Sequence, residues 1–233
     1  MNVARIAELL QPFLDAVPNA CHSEQVRRSG EESAVLSPTQ LDHISMYIDI
    51  LTRWNARINL TAIRDEEEIV TRHFGESLFS ARCLFPDASA SEAVRGRVGV
   101  ADLGSGAGFP GIPIKLWAPG IQLTLIESSH KKATFLREVC RSLALTDVDI
   151  QNVRGEESVQ TYDIATLRAV ENFEEALRIA ARLLNPEGRL GLLIGSSQVE
   201  LACSTLPDVI WKPPLPVPLS QSRVLLLGES EPK

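Results

Sequence analysis

Apolar side chains at Ile6, Leu9, Leu10, Phe13 and Val17 recur at three- and four-residue intervals, which predicts a helix over residues 4–17. Residues 20–37, ACHSEQVRRSGEESAVLS, follow neither a helical nor a strand period and read as a linker. Ser37 followed by Pro38 marks a new helix start: a capping hydroxyl, then a proline in the first turn, where no N–H is needed. Leu41, Ile44, Ile48 and Leu51 hold one face of that helix to about Trp54, and NARINLTAIR then breaks the pattern. Asp65 ahead of Glu66, Glu67 and Glu68 is a further start, its acids at the positive end of the helix dipole. Ile69, Val70, Phe74 and Leu78 carry this helix toward Pro86. Residues 1–85 are expected to form a mostly helical extension.

From Val98 the period changes. RVGVADL, IQLTLIE, VDIQNV, YDIATLRAV and RLGLLIG read as buried strands. Between them, Ile112–Trp117, SHKKATFLREVCRSLAL and FEEALRIAARLLNPEG read as helices, the last stopped by its Pro-Gly pair. Strands alternating with helices predict βαβ units and an α/β domain over 95–233, packed with the extension as one unit. The tail DVIWKPPLPVPLSQSRVLLLGES suggests two last strands around a proline-rich turn.

The chemistry concentrates in VGVADLGSGAGFPGIP, residues 98–113, where Asp102 at a strand tip is followed by Gly104, Gly106, Gly108 and Gly111. In an open parallel sheet, ligands bind beyond the carboxyl ends of the strands, and glycines in the first strand–helix turn allow close backbone approach. Two ligand classes fit. A dinucleotide would rest its pyrophosphate on the helix N-terminus. S-adenosylmethionine would present an ammonium and a sulfonium instead. The literal GxGxxG match of Gly106, Gly108 and Gly111 does not choose between them. Charge is more useful, because a carboxylate at Asp102 repels pyrophosphate and attracts the ammonium. Glu127, at the end of the second strand, stands where an acid grips ribose hydroxyls in either class. S-adenosylmethionine is therefore favoured; an NAD(P)-dependent oxidoreductase is the alternative. Pro110 and Pro113 are expected to stiffen the loop.

A formal net charge of −7 and a pI of about 5.2 argue against a protein that coats nucleic acid non-specifically, and leave room for a local basic patch. Cys21, Cys83, Cys140 and Cys203 lie far apart with no CxxC or Cys/His pairing, so reduced, mostly buried thiols are expected and no metal site. His22, His43 and His130 form no metal set, and His73 is expected as a hydrogen-bonded, half-buried residue. No apolar run approaches the roughly 20 residues that a membrane span needs, and the N-terminus lacks a signal-peptide core; a cytoplasmic location follows.

ADLGSGAGFPGIPIKLWAPGIQLTLIESSHKKATFLREV resembles the core of the RsmG (GidB) family, bacterial methyltransferases that act on N7 of a guanine in small-subunit ribosomal RNA. LTRWNARINLTAIRDEEEIVTRHFGES resembles that family's Trp-Asn, Asn-Leu-Thr and His-x-x-Asp-Ser signature, and NVRGEE and DIATLRAV its next two cofactor-side motifs. The likeness spans about residues 36–195. It implies the class I methyltransferase fold, a Rossmann-like, mostly parallel seven-stranded sheet with the N-terminal extension. It further implies S-adenosylmethionine as cofactor, with S-adenosylhomocysteine as product, and 16S rRNA as substrate, within the small subunit or its precursor, for a monomeric enzyme. Gly104 and Phe109 would contact the methionine and adenosine parts, Glu127 the ribose, and Gly155 and Glu156 the adenine. Arg168 would face the methyl-transfer centre and orient substrate or the cofactor carboxylate without moving a proton. Glu76 stands where the family usually carries Asp, Gly155 where it carries a small apolar residue, and Ile194 where it commonly carries Lys. The loss of that lysine keeps a third reading open, a non-catalytic binding module on the same fold.

The expected reaction agrees with the residues at the end of strand four. ATLRAV has neither the Asn/Asp-Pro-Pro-aromatic motif of exocyclic-amine methylation nor the cysteine nucleophile of pyrimidine-carbon methylation. Guanine N7 already exposes a lone pair and needs no general base. RNA phosphate is expected to meet Lys131, Lys132, Arg137 and Arg154 near the strand tips, and Arg72 among the N-terminal cations Arg53, Arg57, Arg64 and Arg72. Trp54 is expected to pack the extension onto the sheet, and Asn55 and Asn59 to satisfy backbone groups in the turn after that helix.

Overall fold

A computed structural model describes residues 1–15, 35–86 and 98–230. Val17, Cys21, His22, the start of the α/β domain at 95 and most of the predicted linker lie outside them. The extension comprises α1 (Val3–Asp15), α2 (Pro38–Asn55) and a continuous run of α3 (Glu66–Glu68), a π-helical stretch Ile69–Gly75, and α4 (Glu76–Leu84). Ser37 caps α2 as expected, within a reciprocal box: its side chain accepts from the Gln40 N–H while Gln40 accepts from the Ser37 N–H. Asp65 accepts from the Glu68 N–H. The π turn is where the chain departs from simple helical spacing; it places His73, Phe74 and Gly75 all in the interior.

The α/β part runs β1 (Gly99–Leu103), α5 (Gly111–Trp117), β2 (Gln122–Ile126), α6 (His130–Ser142), β3 (Val148–Gln151), β4 (Tyr162–Arg168), α7 (Phe173–Arg182), β5 (Leu184–Gly195), α8 (Val199–Thr205), β6 (Val209–Trp211), β7 (Leu215–Pro216) and β8 (Arg223–Ser230). The sheet order is β3-β2-β1-β4-β5-β8-β6, with the short β7 also on β8. The first five strands are parallel and the last three antiparallel. Among the described residues the sheet therefore has eight strands: seven along its path, as the resemblance implies, and β7 beside them.

The tail and the end of α7 differ from the sequence reading. The tail makes three strands, because Leu215 and Pro216 pair with Leu225 and Val224 inside the stretch read as a turn. The helix read through Gly188 ends at Arg182, and β5 begins at Leu184. Tyr162 pairs with Leu184 and Ile164 with Arg189, so Asn185–Gly188 bulge opposite Asp163. Glu187 takes a left-handed φ of 62°, and Asn185 Nδ2 donates to Asp163 Oδ1 at 2.8 Å. The Asn-Pro-Glu-Gly signal is real, but it bends a strand. Helix α8 carries only seven residues, too few for a visible period.

One buried cluster joins the extension to the sheet. It runs from Ile6 and Leu10 through Tyr47, Ile48 and Phe74 to Phe109, Ile112, Leu125 and Phe135. Trp54 meets Phe135 of α6 edge-on at 5.8 Å, as its expected packing role requires. Asn55 Oδ1 accepts from Leu60 N and Thr61 N while Nδ2 donates to Thr61 O, closing the turn after α2. Below α4, Phe13 packs so close to Gly75 that a Cβ there would lie 2.5 Å from its ring. Gln40 Nε2 donates to Leu116 O at 2.7 Å and Trp117 Nε1 to Phe85 O at 3.1 Å, fixing α5 against the extension. These contacts bring the N-terminal helices to the carboxyl ends of β1 and β4.

Candidate active site

The β1–α5 turn is folded onto its own strands. Gly104, Gly106 and Gly108 have φ of 69°, 57° and 84°, a region that side chains rarely enter, so glycine is required by the turn. A Cβ on Gly108 would also lie 2.7 Å from Ile112 Cδ1. The N–H groups of Gly104 and Ser105 donate to Ile126 O at 2.9 and 3.1 Å, Gly106 N to Glu127 Oε2 at 2.9 Å, and Gly108 N to Ser105 O at 2.6 Å. Gly111 N donates to Asp102 Oδ2 at 3.2 Å and Ile112 N to Gly108 O at 2.9 Å. The amides of Gly104, Ser105, Gly106, Gly108 and Gly111 are thus consumed inside the protein, two of them by carboxylates.

Asp102 is almost fully buried beneath this turn. It sits opposite Thr166 in the β1–β4 register, and the Thr166 hydroxyl donates to its Oδ1 at 2.8 Å. Burial pushes its carboxyl up to about 6, against the opposing pull of Thr166 and Gly111. Glu127 is also buried; its Oε1 accepts from Ser129 N at 2.7 Å, and Asn152 holds the backbone beside it through Glu127 O and Ser128 O.

Outside the turn lies a cleft of about 200 Å³, bounded by Gly104, Ser128, Arg154, Gly155, Glu156 and Val170 among others. Gly155 begins a 3₁₀ turn, and a Cβ there would lie 2.6 Å from Leu103 Cδ1. The departure at Gly155 therefore leaves the cleft floor as bare backbone. Arg154 and Glu156 are exposed at its rim.

Phe109 faces the extension. Its ring is stacked between Tyr47 at 5.4 Å and His73 at 4.8 Å, with Phe74 edge-on at 5.1 Å. The Tyr47 hydroxyl donates to Ala107 O, a second clamp on the glycine turn. His73 Nδ1 accepts from Arg168 Nη1 at 3.0 Å, so Nε2 carries the proton and donates to Thr61 Oγ1 at 2.8 Å. Burial, reinforced by Arg168, Arg72 and Arg223, lowers His73 to about 3, so it stays neutral.

Arg168, at the end of β4, is held by the extension. Its Nη2 donates to Arg72 O at 2.6 Å and to Glu76 Oε2 at 3.1 Å. Glu76, with a side chain 2% exposed, also pairs with Arg223 Nε at 2.9 Å and Arg72 Nε at 3.5 Å.

The fold thus brings Gly104, Arg154, Gly155 and Glu156 to one cleft, with Asp102, Gly106 and Glu127 beneath its inner wall. Gly108 and Phe109 sit on the side toward the extension. Lys131, Lys132 and Arg137 ride on α6, the first and last exposed, and none of the three lines the cleft. Sequence reasoning missed Tyr47, Thr166 and Arg223. Thr166 was the one with a signal, a polar residue inside an apolar strand. Among the described residues no cluster of His, Cys, Asp or Glu is placed to hold a metal ion, and no helix is long and apolar enough to cross a membrane.

A family model described as rRNA small subunit methyltransferase G matches residues 40–205. Two relatives named ribosomal RNA small subunit methyltransferase G are similar over a comparable stretch. That of Xylella fastidiosa (strain 9a5c) is 42% identical over 152 residues, 64% of this chain and 66% of that protein. That of Stenotrophomonas maltophilia (strain K279a) is 40% identical over 159 residues, 67% of this chain and 68% of that protein. The match to the first thus spans just under two thirds of its length. Among solved structures, the ribosomal protein L11 methylase of Lactobacillus delbrueckii subsp. bulgaricus superposes with a TM-score of 0.55 at 14% identity, covering 67% of this chain and 80% of that one. TYW2 of M. jannaschii in complex with AdoMet gives 0.55 at 13% identity, covering 76% and 80%. At such identities these two establish the fold alone. With its match over residues 40–205, this chain belongs to the rRNA small subunit methyltransferase G family.

Proposed function

We propose that this protein is an S-adenosylmethionine-dependent methyltransferase that modifies N7 of a guanine in 16S rRNA, acting as a cytoplasmic monomer on the small subunit or its precursor. The observation that carries the cofactor class is the inward turning of the glycine-loop amides toward Ile126, Glu127 and Asp102. A loop built to hold pyrophosphate leaves its N–H groups facing out. Here two carboxylates lie behind the loop, which suits a cationic ligand and opposes a dinucleotide. The residues fit S-adenosylmethionine: Gly104 and Val170 wall the cleft, Gly155 keeps its floor open for a flat base, and Glu156 stands at its rim. Each Glu127 oxygen already accepts one backbone N–H and retains a second lone pair for a ribose hydroxyl.

When bound, this cofactor supplies a methyl group on a sulfonium. The chain's share of the work is positioning and electrostatics. Guanine N7 needs no deprotonation, and His73, stacked on Phe109, is unsuited to it: both its nitrogens are engaged and its lowered pKa makes it a poor base. Arg168 orients the site through Glu76 and the Arg72 carbonyl, holding the end of β4 against the extension, so that 1–85 and 95–233 work as one unit. Arg154 at the cleft rim, with Lys131, Lys132 and Arg137 on α6 and Arg72 on the extension, supplies cations for RNA phosphate.

Labelled-methyl transfer from S-adenosylmethionine to small subunits purified without this modification tests the proposal. One methyl per subunit on a single guanine, absent with subunits already modified, is the expected outcome. Incorporation into protein or into adenine, or none at all, contradicts it.

A further inference from the structure

A second cavity, of about 360 Å³, opens between the extension and the loop that leads into β8. Thr71, Arg72 and Glu76 form one wall; Leu219, Ser222 and Arg223 form part of the other. It shares none of its lining with the cofactor cleft, and the Arg168 contacts to Arg72 and Glu76 lie between the two.

Its charges do not balance. Arg72, Arg168 and Arg223 converge on Glu76, the sole buried carboxylate among their described ion-pair partners. The one other such partner, Glu68, is exposed and stands 3.7 Å from Arg72. At least one positive charge is left over in a protein whose net charge is −7. Two guanidinium N–H groups are also unspent. Arg168 Nε is buried without a hydrogen-bond partner, on a side chain 8% exposed. Arg223 Nε is likewise without one, since it is near Glu76 Oε2 but not aimed along a hydrogen-bond line. Burial is the main force against the Arg168 charge; Glu76 counters that force, and Arg223 and Arg72 add to it. Such a cluster costs folding free energy unless an anion completes it.

The loop is preformed. Ser220 N donates to Val217 O at 3.2 Å, Val217 N to Arg223 O at 3.0 Å, and Ser196 N to Ser222 O at 2.7 Å. At its tip Leu219 takes a left-handed φ of 58° and is 74% exposed, an apolar side chain held out beside the arginines.

We propose that this cavity receives a phosphodiester of the RNA strand that carries the target base, bound by Arg72 and Arg223, with Leu219 resting on the neighbouring sugar or base. Guanidinium forks match phosphate oxygens with paired N–H groups. The cavity is joined to the carboxyl end of β4 through the Arg168 contacts to Arg72 O and Glu76, which places the phosphate on the side of the extension that meets the sheet. The inference rests on the RNA-methyltransferase reading and assigns a strand contact that neither the glycine loop nor α6 supplies.

The test compares wild type with Arg72→Gln and Arg223→Gln. Binding of each to small subunits lacking the modification is measured from about 50 to 300 mM salt, with calorimetric titration of S-adenosylhomocysteine alongside. Each variant is expected to weaken subunit binding by about three- to tenfold and to reduce the slope of log K against log salt by about one. Affinity for S-adenosylhomocysteine stays within about twofold. Unchanged subunit binding and slope in both variants overturn the inference. So does a parallel loss of S-adenosylhomocysteine affinity, which would put the cofactor carboxylate in this cavity. Should Arg223→Gln fail to fold, Arg72→Gln decides, because its side chain is 47% exposed. A wild type that neither binds nor methylates the subunit overturns the parent reading; a wild type that does both, with variants that match it, overturns this inference alone.

Discussion

Replacing Glu76 by alanine is expected to destabilise the protein by about 3–5 kcal/mol, the scale for breaking a buried ion pair from one side. The carboxylate is enclosed by Arg168 at 3.1 Å, Arg223 at 2.9 Å and Arg72 at 3.5 Å. These come from the end of β4, the start of β8 and the π turn directly before α4, so one side chain ties two distant strands to the extension. Without it three guanidiniums face one another across the junction. Domains of this kind are stable by about 5–15 kcal/mol, so the loss is a large share of the total. Urea unfolding measures it. Glu76→Asp, the residue that the family resemblance places here, keeps the charge and should lose less than half as much. A loss below about 1 kcal/mol for the alanine variant would mean that the arginines find their counter-charge elsewhere.

Replacing Asp102 by asparagine should separate stability from function. The asparagine amide oxygen can accept from Gly111 N–H while its NH₂ donates to Thr166, whose hydroxyl already reaches Ala101 O at 3.3 Å. The hydrogen bonds survive and the buried charge disappears. In wild type the carboxyl is raised from 3.8 to about 6 by burial, a penalty on the order of 3 kcal/mol once it ionises. Between about pH 4 and pH 6 the native state therefore holds a proton that the unfolded state lacks. Stability from this group is present at the acidic end, falls as pH rises through that window, and stays lost above it. The variant should lack this decline and be at least as stable as wild type at pH 7.5. Its affinity for S-adenosylmethionine, a net cation, should fall by about tenfold, since a charge pair at short range in a partly dry site contributes roughly 1–2 kcal/mol. Wild-type affinity should rise as pH rises through about 6, and the variant's should not. An unstable variant that binds the cofactor normally would reverse the assignment of Asp102.

These two residues mark what could be read from the chain and what could not. Asp102 announces itself because everything that defines it is local: an apolar strand, an acid at its tip, glycines directly after. The helix caps at Ser37 and Asp65 are legible for the same reason. Its partner Thr166 needs the β1–β4 register, which strand periodicity does not encode. Of the arginines around Glu76, Arg72 stands four residues before it on the same helical run, but Arg168 and Arg223 lie 92 and 147 residues away, at the end of one strand and the start of another, and their convergence on it is invisible in the sequence. Phe109 sits in the glycine loop, but its ring packs between Tyr47 and His73, from helices that have no local tie to that loop, so this neighbourhood is invisible in the sequence. The Asn-Pro-Glu-Gly segment failed differently: its residues break a helix and bulge a strand with equal ease, and only the pairing of Tyr162 with Leu184 selects the bulge.

Carboxylates behind an inward-folded glycine loop select a positively charged methyl donor; every functional assignment above depends on that selection. Calorimetric titration of the purified protein with S-adenosylmethionine and, separately, with NAD⁺ at pH 7.5 and moderate salt tests it. Saturable one-to-one binding of S-adenosylmethionine in the micromolar range is expected, with no heat of binding from NAD⁺ at about a hundredfold higher concentration. Saturable binding of NAD⁺ with no response to S-adenosylmethionine would contradict it.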